Sequence, residues 1–206
     1  MSEPNRPLFH ALPGTTSSPC GLFIDRWGTL LHLDEKGYAD SPKEVKFIPG
    51  ALDALFRAHR AGWLIYMVGN EDAVPFGALS KEKWDLVEEH IAEVLQDAGI
   101  QVVRNYLCIS RLDGVAGFQS DSVYQLPNTG AFYHALHTDG IDLQRSWIVG
   151  DSTTELVAGW RSGMRMAAVR TGEALSDRIY DVSPEIFADD LHSVVQILLE
   201  QARLSA

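Results

Sequence analysis

The chain has 206 residues, 46% hydrophobic and 22% charged, enough to bury a sizeable core and too mixed for a disordered or fibrous protein. Asp and Glu number 28 against 17 Lys and Arg, a formal net charge of -11, the wrong sign for tracking a phosphate backbone or an anionic bilayer. Nucleic acid and membrane are therefore not expected as partners. Two cysteines, Cys20 and Cys108, are too few for a disulfide framework or a Cys-rich zinc site, and a reducing cytoplasm is the expected compartment.

Residues 1–19 are rich in Pro, Ser and Thr and read as an irregular arm, ahead of a single domain over 20–206. No apolar run approaches the roughly 20 residues of a membrane-spanning helix. From Cys20 onward, short apolar runs alternate with helical periodicity. Gly21 to Ile24 is the first run. Pro49-Gly50 then opens a helix with apolar Leu52, Leu55 and Phe56, closed at Gly62. The second run is Trp63 to Val68. Ser80 caps a longer helix in which Trp84, Val87, Ile91, Leu95 and Ala98 recur at helical spacing. Its acids, Glu82, Asp85, Glu88, Glu89, Glu93 and Asp97, read as a solvated face.

Val102 to Ile109 is the third run, and the stretch from Ser110 to Asn128 is a loop or flap at the sheet edge. A helix follows from about Thr129 to Gly140, carrying Phe132, Ala135 and Leu136. Trp147 to Val149 is the fourth run; Leu156, Val157 and Trp160 mark the next helix; Met166 to Val169 is the fifth run; Leu191, Val194, Val195 and Leu198 mark the last helix. Trp84, Trp147 and Trp160 are expected in the core. This alternation predicts an α/β fold, a doubly wound parallel sheet with little or no cap domain, its ligand site at the carboxyl ends of the strands.

Three strand ends carry polar signatures: Asp25-Arg26-Trp27-Gly28-Thr29, Gly69-Asn70-Glu71-Asp72 and Gly150-Asp151-Ser152. Two carboxylates converging in a dry crevice, Asp25 and Asp151, repel unless a divalent cation joins them. Magnesium, with its preference for oxygen ligands, suits that pair.

With these residues in place, the chain resembles the haloacid dehalogenase superfamily, and within it the histidinol phosphatase and heptose bisphosphate phosphatase group. The resemblance runs from Leu22 to Gly172 through Phe23 to Leu30, Gly37-Tyr38, Phe47 to Gly50, Val68 to Asn70, Pro127 to Gly130, Ser146 to Ser152 and Val169 to Gly172. It implies that Asp25 is the nucleophile that forms an aspartyl-phosphate. It also implies that magnesium is held by Asp25, Asp151 and the backbone carbonyl of Trp27, with Glu155 in place of the usual second Asp of that motif. Arg26 and Asn70 are the candidate substrate-binding residues, and a small phosphorylated molecule or a protein partner is the candidate ligand.

Three positions depart from the family pattern. The acid/base Asp is replaced by Trp27, the Ser or Thr of the second motif by Gly69, and the Lys of the third by Leu126, with Gln125 where an Arg often precedes it. A phosphatase homologue with little or no turnover is the resulting expectation. Two alternatives stay open: an active magnesium-dependent phosphomonoesterase in which Asp72, Arg26 or Arg170 substitutes, and a dehalogenase-like hydrolase with Trp27 in an Asp-x-aromatic-Gly-Thr pattern. Trp27 is expected to fill the vacated phosphate pocket. The zinc loop of some heptose phosphatases is not expected here. Cys108 matches one ligand, but Ser110, Ser122 and Tyr124 occupy the others, and His134 and His137 read as a surface pair.

Overall fold

The computed structural model describes residues 18–33 and 35–204. Of the arm expected over 1–19, only Ser18 and Pro19 fall among them; there the Asp142 N–H donates to the Pro19 carbonyl at 2.9 Å. Six strands form one sheet: β1 Gly21–Asp25, β2 Leu64–Asn70, β3 Val102–Cys108, β4 Trp147–Gly150, β5 Arg165–Val169 and β6 Ile186–Ala188. Their order is β3-β2-β1-β4-β5-β6, with every neighbouring pair parallel. The sixth strand is an addition to the five runs in the sequence. It has three residues, of which only Ile186 is buried, so it leaves no apolar run to find.

Five helices cover the sheet: α1 Ala51–Arg60, α2 Lys81–Asp97, α3 Gly130–Asp139, α4 Thr153–Arg161 and α5 Leu191–Leu204. The period of two along each strand separates the two layers. Leu22 and Ile24 of β1, Ile65 and Met67 of β2, and Trp147 and Val149 of β4 pack with α1, α2 and α5. Phe23, Tyr66, Val68 and Ile148, between them in sequence, pack with α3 and α4. Among the described residues, those linking β1 to α1 and β3 to α3 contain only isolated bridges and a short 3-10 turn, Pro42–Glu44, and form no cap domain over the strand ends.

Helix boundaries follow the local chemistry. Gly50, at φ 79°, turns the chain into α1, and the Ser80 hydroxyl accepts the Lys83 N–H at the start of α2. Two side chains are placed differently from expectation. Trp160 is 63% exposed, because α4 lays its other side, including Gly159, flat against β4. A Cβ at Gly159 would overlap Ile148 Cγ2. Glu88 does not belong to the solvated face of α2; it pairs with Arg26, which is 2% exposed. Among the described residues, no helix is long and apolar enough to cross a membrane.

Candidate active site

Central strands β1 and β4 are neighbours in parallel register, Ile24 opposite Val149, so Asp25 and Asp151 emerge side by side at their carboxyl ends. Both are buried, at 7% and 4% exposure, and Glu155, one turn into α4, is 9% exposed. Burial pushes the Asp25 carboxyl well above the usual carboxylate range, and Glu155 and Asp151 push it further. Asp151 is raised to about 7, again chiefly by burial, against the pull of the Glu173 N–H. Glu155 is raised by burial while a hydrogen bond with the Ser152 hydroxyl pulls the other way. Three acids thus share a poorly solvated pocket that lacks positive charge.

Asp151 is held by backbone. Its Oδ2 accepts the Glu173 N–H at 2.6 Å, and its carbonyl accepts the Leu175 N–H at 2.7 Å. Gly28 and Gly172, at φ +87° and +70°, lie against the same carboxylate, and a Cβ on either would run into Oδ2. Only glycine allows both the conformation and that approach. The Thr153 N–H donates to both oxygens of Asp177, at 3.0 and 3.1 Å, adding a further acid at the start of α4.

The residues at the three departing positions have packing partners of their own. Trp27 is half-buried, and its indole N–H donates to Glu71 Oε2 at 3.3 Å. Gly69 lies under Asp25, where a Cβ would sit 3.2 Å from both Asp25 Oδ1 and Leu107 Cδ2. Leu126 is 3% exposed within the α3 and α4 layer. Asn70 clamps its backbone: the Asn70 amide donates to the Leu126 carbonyl and accepts the Leu126 N–H, both at 2.8 Å.

The proposed substitutes are similarly committed. Arg26, read as a substrate-binding residue, is buried, with Nη2 on Glu71 at 2.6 Å and Nη1 beside Glu88. Asn70, the other such candidate, spends its amide on Leu126. Asp72 accepts two bonds from Arg111, at 3.0 and 3.1 Å, and Arg170 pairs with Asp189 while remaining 54% exposed. In the cysteine loop, Cys108 Sγ donates to the Ser110 carbonyl at 3.3 Å, and the Tyr124 hydroxyl bonds His134 Nδ1 at 3.1 Å.

Sequence reading located the carboxylates but missed what holds them. The Gly172 approach and the Glu173 N–H arise after β5. The Arg26–Glu71–Glu88 cluster was missed as well, although Glu88 has a signal: it falls four residues after Trp84 and three before Ile91, along the apolar side of α2.

Comparison with known proteins bears on this arrangement. Residues 123–194 match a family model described as HAD-hydrolase-like. The D-glycero-beta-D-manno-heptose-1,7-bisphosphate 7-phosphatase of Mesorhizobium japonicum is 30% identical over 164 residues, covering 79% of this chain and 75% of the relative. The D-glycero-D-manno-heptose-1,7-bisphosphate 7-phosphatase of Thermosynechococcus vestitus is 29% identical, covering 85% of this chain and 93% of its own length. In fold, the crystal structure of D,D-heptose 1,7-bisphosphate phosphatase from B. bronchiseptica, complexed with magnesium and phosphate, superposes with a TM-score of 0.75. It is 22% identical and covers 88% of this chain and 99% of that one. The paired strand-end carboxylates, the uncapped doubly wound sheet and this likeness along most of its length place the chain in the haloacid dehalogenase-like hydrolase superfamily, in its heptose bisphosphate phosphatase-like group.

Proposed function

We propose that this phosphatase homologue retains a cation-binding pocket but turns over phosphomonoesters very slowly or not at all. One observation carries the reading. Asp25, Asp151 and Glu155 crowd one pocket, while the adjacent Arg26 is neutralised by two glutamates and the position of the family's Lys is the buried Leu126. A phosphate dianion gains nothing from such a site unless a metal supplies the charge.

The donor set suits magnesium. The family resemblance offers a cation the carboxylates of Asp25 and Asp151 and the Trp27 carbonyl, with Glu155 as a further acid; among the described residues, no group of three or more His, Cys, Asp and Glu stands at metal-holding spacing. A hard cation that keeps several of its own waters matches a site so sparsely provided with ligands. When bound, magnesium would offset the carboxylate charge and polarise a phosphoryl oxygen. The chain's own residues supply less. Asp25 occupies the nucleophile position, but the Trp27 indole is far too weak an acid to protonate a leaving alcohol, and neither Gly69 nor Leu126 has a side-chain donor for the phosphoryl oxygens.

Loss of the acid/base group typically removes about 10² to 10⁴ in rate, and loss of one charge-stabilising donor about 10² to 10³. The effects overlap rather than multiply. A combined loss of about 10⁴ from an ordinary turnover near 10 per second predicts about 10⁻³ per second or less. Phosphate release from heptose 1,7-bisphosphate and a panel of sugar phosphates, with magnesium, tests this; a turnover above about 1 per second overturns it. Trp27→Asp, Gly69→Thr and Leu126→Lys introduced together are expected to raise the rate, with Gly69→Thr the tightest fit.

An active enzyme is the second reading, favoured by the 7-phosphatase relatives. It requires that Asp25→Asn abolish whatever activity is measured. Survival of that activity would place its source outside this pocket.

A further inference from the structure

A cleft of about 590 Å³ lies on the other side of Arg26, between α2 and the sheet-edge strand β3. That volume is in the range of small-molecule sites. Its walls are largely apolar, built from Leu30, Met67, Ile91, Leu95, Ile100 and Val102, with the polar chains of Glu88, Gln96, Gln101 and Asn105 beside them. Arg26 also lines it, and this side chain is 2% exposed with a buried Nε that has no hydrogen-bond partner. Its two ion pairs engage other atoms, Nη2 with Glu71 and Nη1 with Glu88. A buried donor left unmade costs about 1–3 kcal/mol relative to one that is satisfied. Arg26 Nη1 and Glu88 Oε1 also lack a hydrogen-bond partner but lie against each other as an ion pair, which leaves Nε as the Arg26 donor with neither kind of partner.

Charge narrows what can meet it. Arg26 is outnumbered by Glu71 and Glu88, so the cluster carries a net negative charge. Arg104, also lining the cleft, is taken by Asp139 through bonds of 2.8 and 2.9 Å. An anion would meet no uncommitted cation there. A cation would be drawn toward the glutamates but would offer Arg26 Nε no acceptor. We propose that the cleft between α2 and β3 binds a neutral, largely apolar small molecule that presents a carbonyl-type oxygen to Arg26 Nε. This site is separate from the Asp25–Asp151 pocket and does not depend on whether that pocket is catalytic.

Nile red, a neutral dye with a carbonyl oxygen whose emission rises in apolar surroundings, is the direct probe for the full chain. Saturable binding at one site is expected, together with displacement by decanamide about tenfold better than by decanoate or decylammonium of the same length. Ala92→Trp and Gln96→Trp, both on the exposed side of α2 at the cleft, are each expected to weaken dye binding at least about tenfold by occupying its mouth. Thermal melts confirm that each variant is folded, and either folded variant suffices. Dye uptake that does not saturate, equal displacement by the charged chains, or unchanged affinity in a folded tryptophan variant would each overturn the proposal.

Discussion

At Asp151 the chain holds an acid in conditions that disfavour its charge. Its carboxyl is raised from 3.8 to about 7, so between those values the folded protein carries a proton that the unfolded chain has released. Stability of the metal-free protein should therefore rise as pH falls from 8 toward 5. A gain in melting temperature on the order of 5 °C is expected, with a flatter profile for Asp151→Asn. Magnesium added at pH 8 should produce a comparable rise by occupying the same charge. A metal-free melting temperature that falls steadily over that range would contradict the assignment. Asn70 makes a different contribution. Asn70→Ala removes both bonds to the Leu126 backbone and leaves its buried N–H and carbonyl unmatched, a loss of about 1–3 kcal/mol that a urea titration would read.

Among the elements, α4 and β4 approach each other closely at a single point. Gly159 faces Ile148 so closely that no side chain fits between, and the helix presents Trp160 to solvent as a result. A glycine inside a helix ordinarily weakens it relative to alanine. Here the expected sign is reversed: Gly159→Ala should destabilise by about 1–3 kcal/mol, through overlap with the strand, despite its better helix propensity. Calorimetric melts of the variant and the parent decide between the two effects. Because α4 also carries Glu155 and begins just after Asp151, the same substitution tests whether the pocket depends on the seating of that helix.

For the molecule as a whole, the pattern of apolar runs and helical stripes makes the layered sheet legible, because strands buried on both faces must be continuously apolar. Strand β6 is not legible in that way. Its placement rests on parallel backbone pairing with β5, and the Glu185 N–H donates to the Met166 carbonyl just before it; neither leaves a composition signal. Asp25 and Asp151 stand out in the sequence because each follows a buried run. What surrounds them does not, since the Gly172 approach, the Glu173 N–H and the Arg26–Glu71–Glu88 cluster join residues distant along the chain. Trp160 was misjudged for the same reason: size and hydrophobicity suggested burial, while the facing of α4 was decided by the small residue beside it.

The side-by-side placement of β1 and β4 also bears on how the protein is made. The carboxylate of Asp25 is in place early in the chain, but its neighbour Asp151 comes 126 residues later, and the contacts that hold Asp151 come from Gly172, Glu173 and Leu175. During synthesis the first half can pair β2 with β1 and β3 while one flank of β1 stays open. That exposed flank awaits a strand from far downstream, a non-local closure of the kind that slows folding and invites aggregation. A ribosome-bound or truncated chain ending before residue 147 would thus present half a sheet without the pocket, and its solubility should depend on chaperone protection until β4 and β5 emerge.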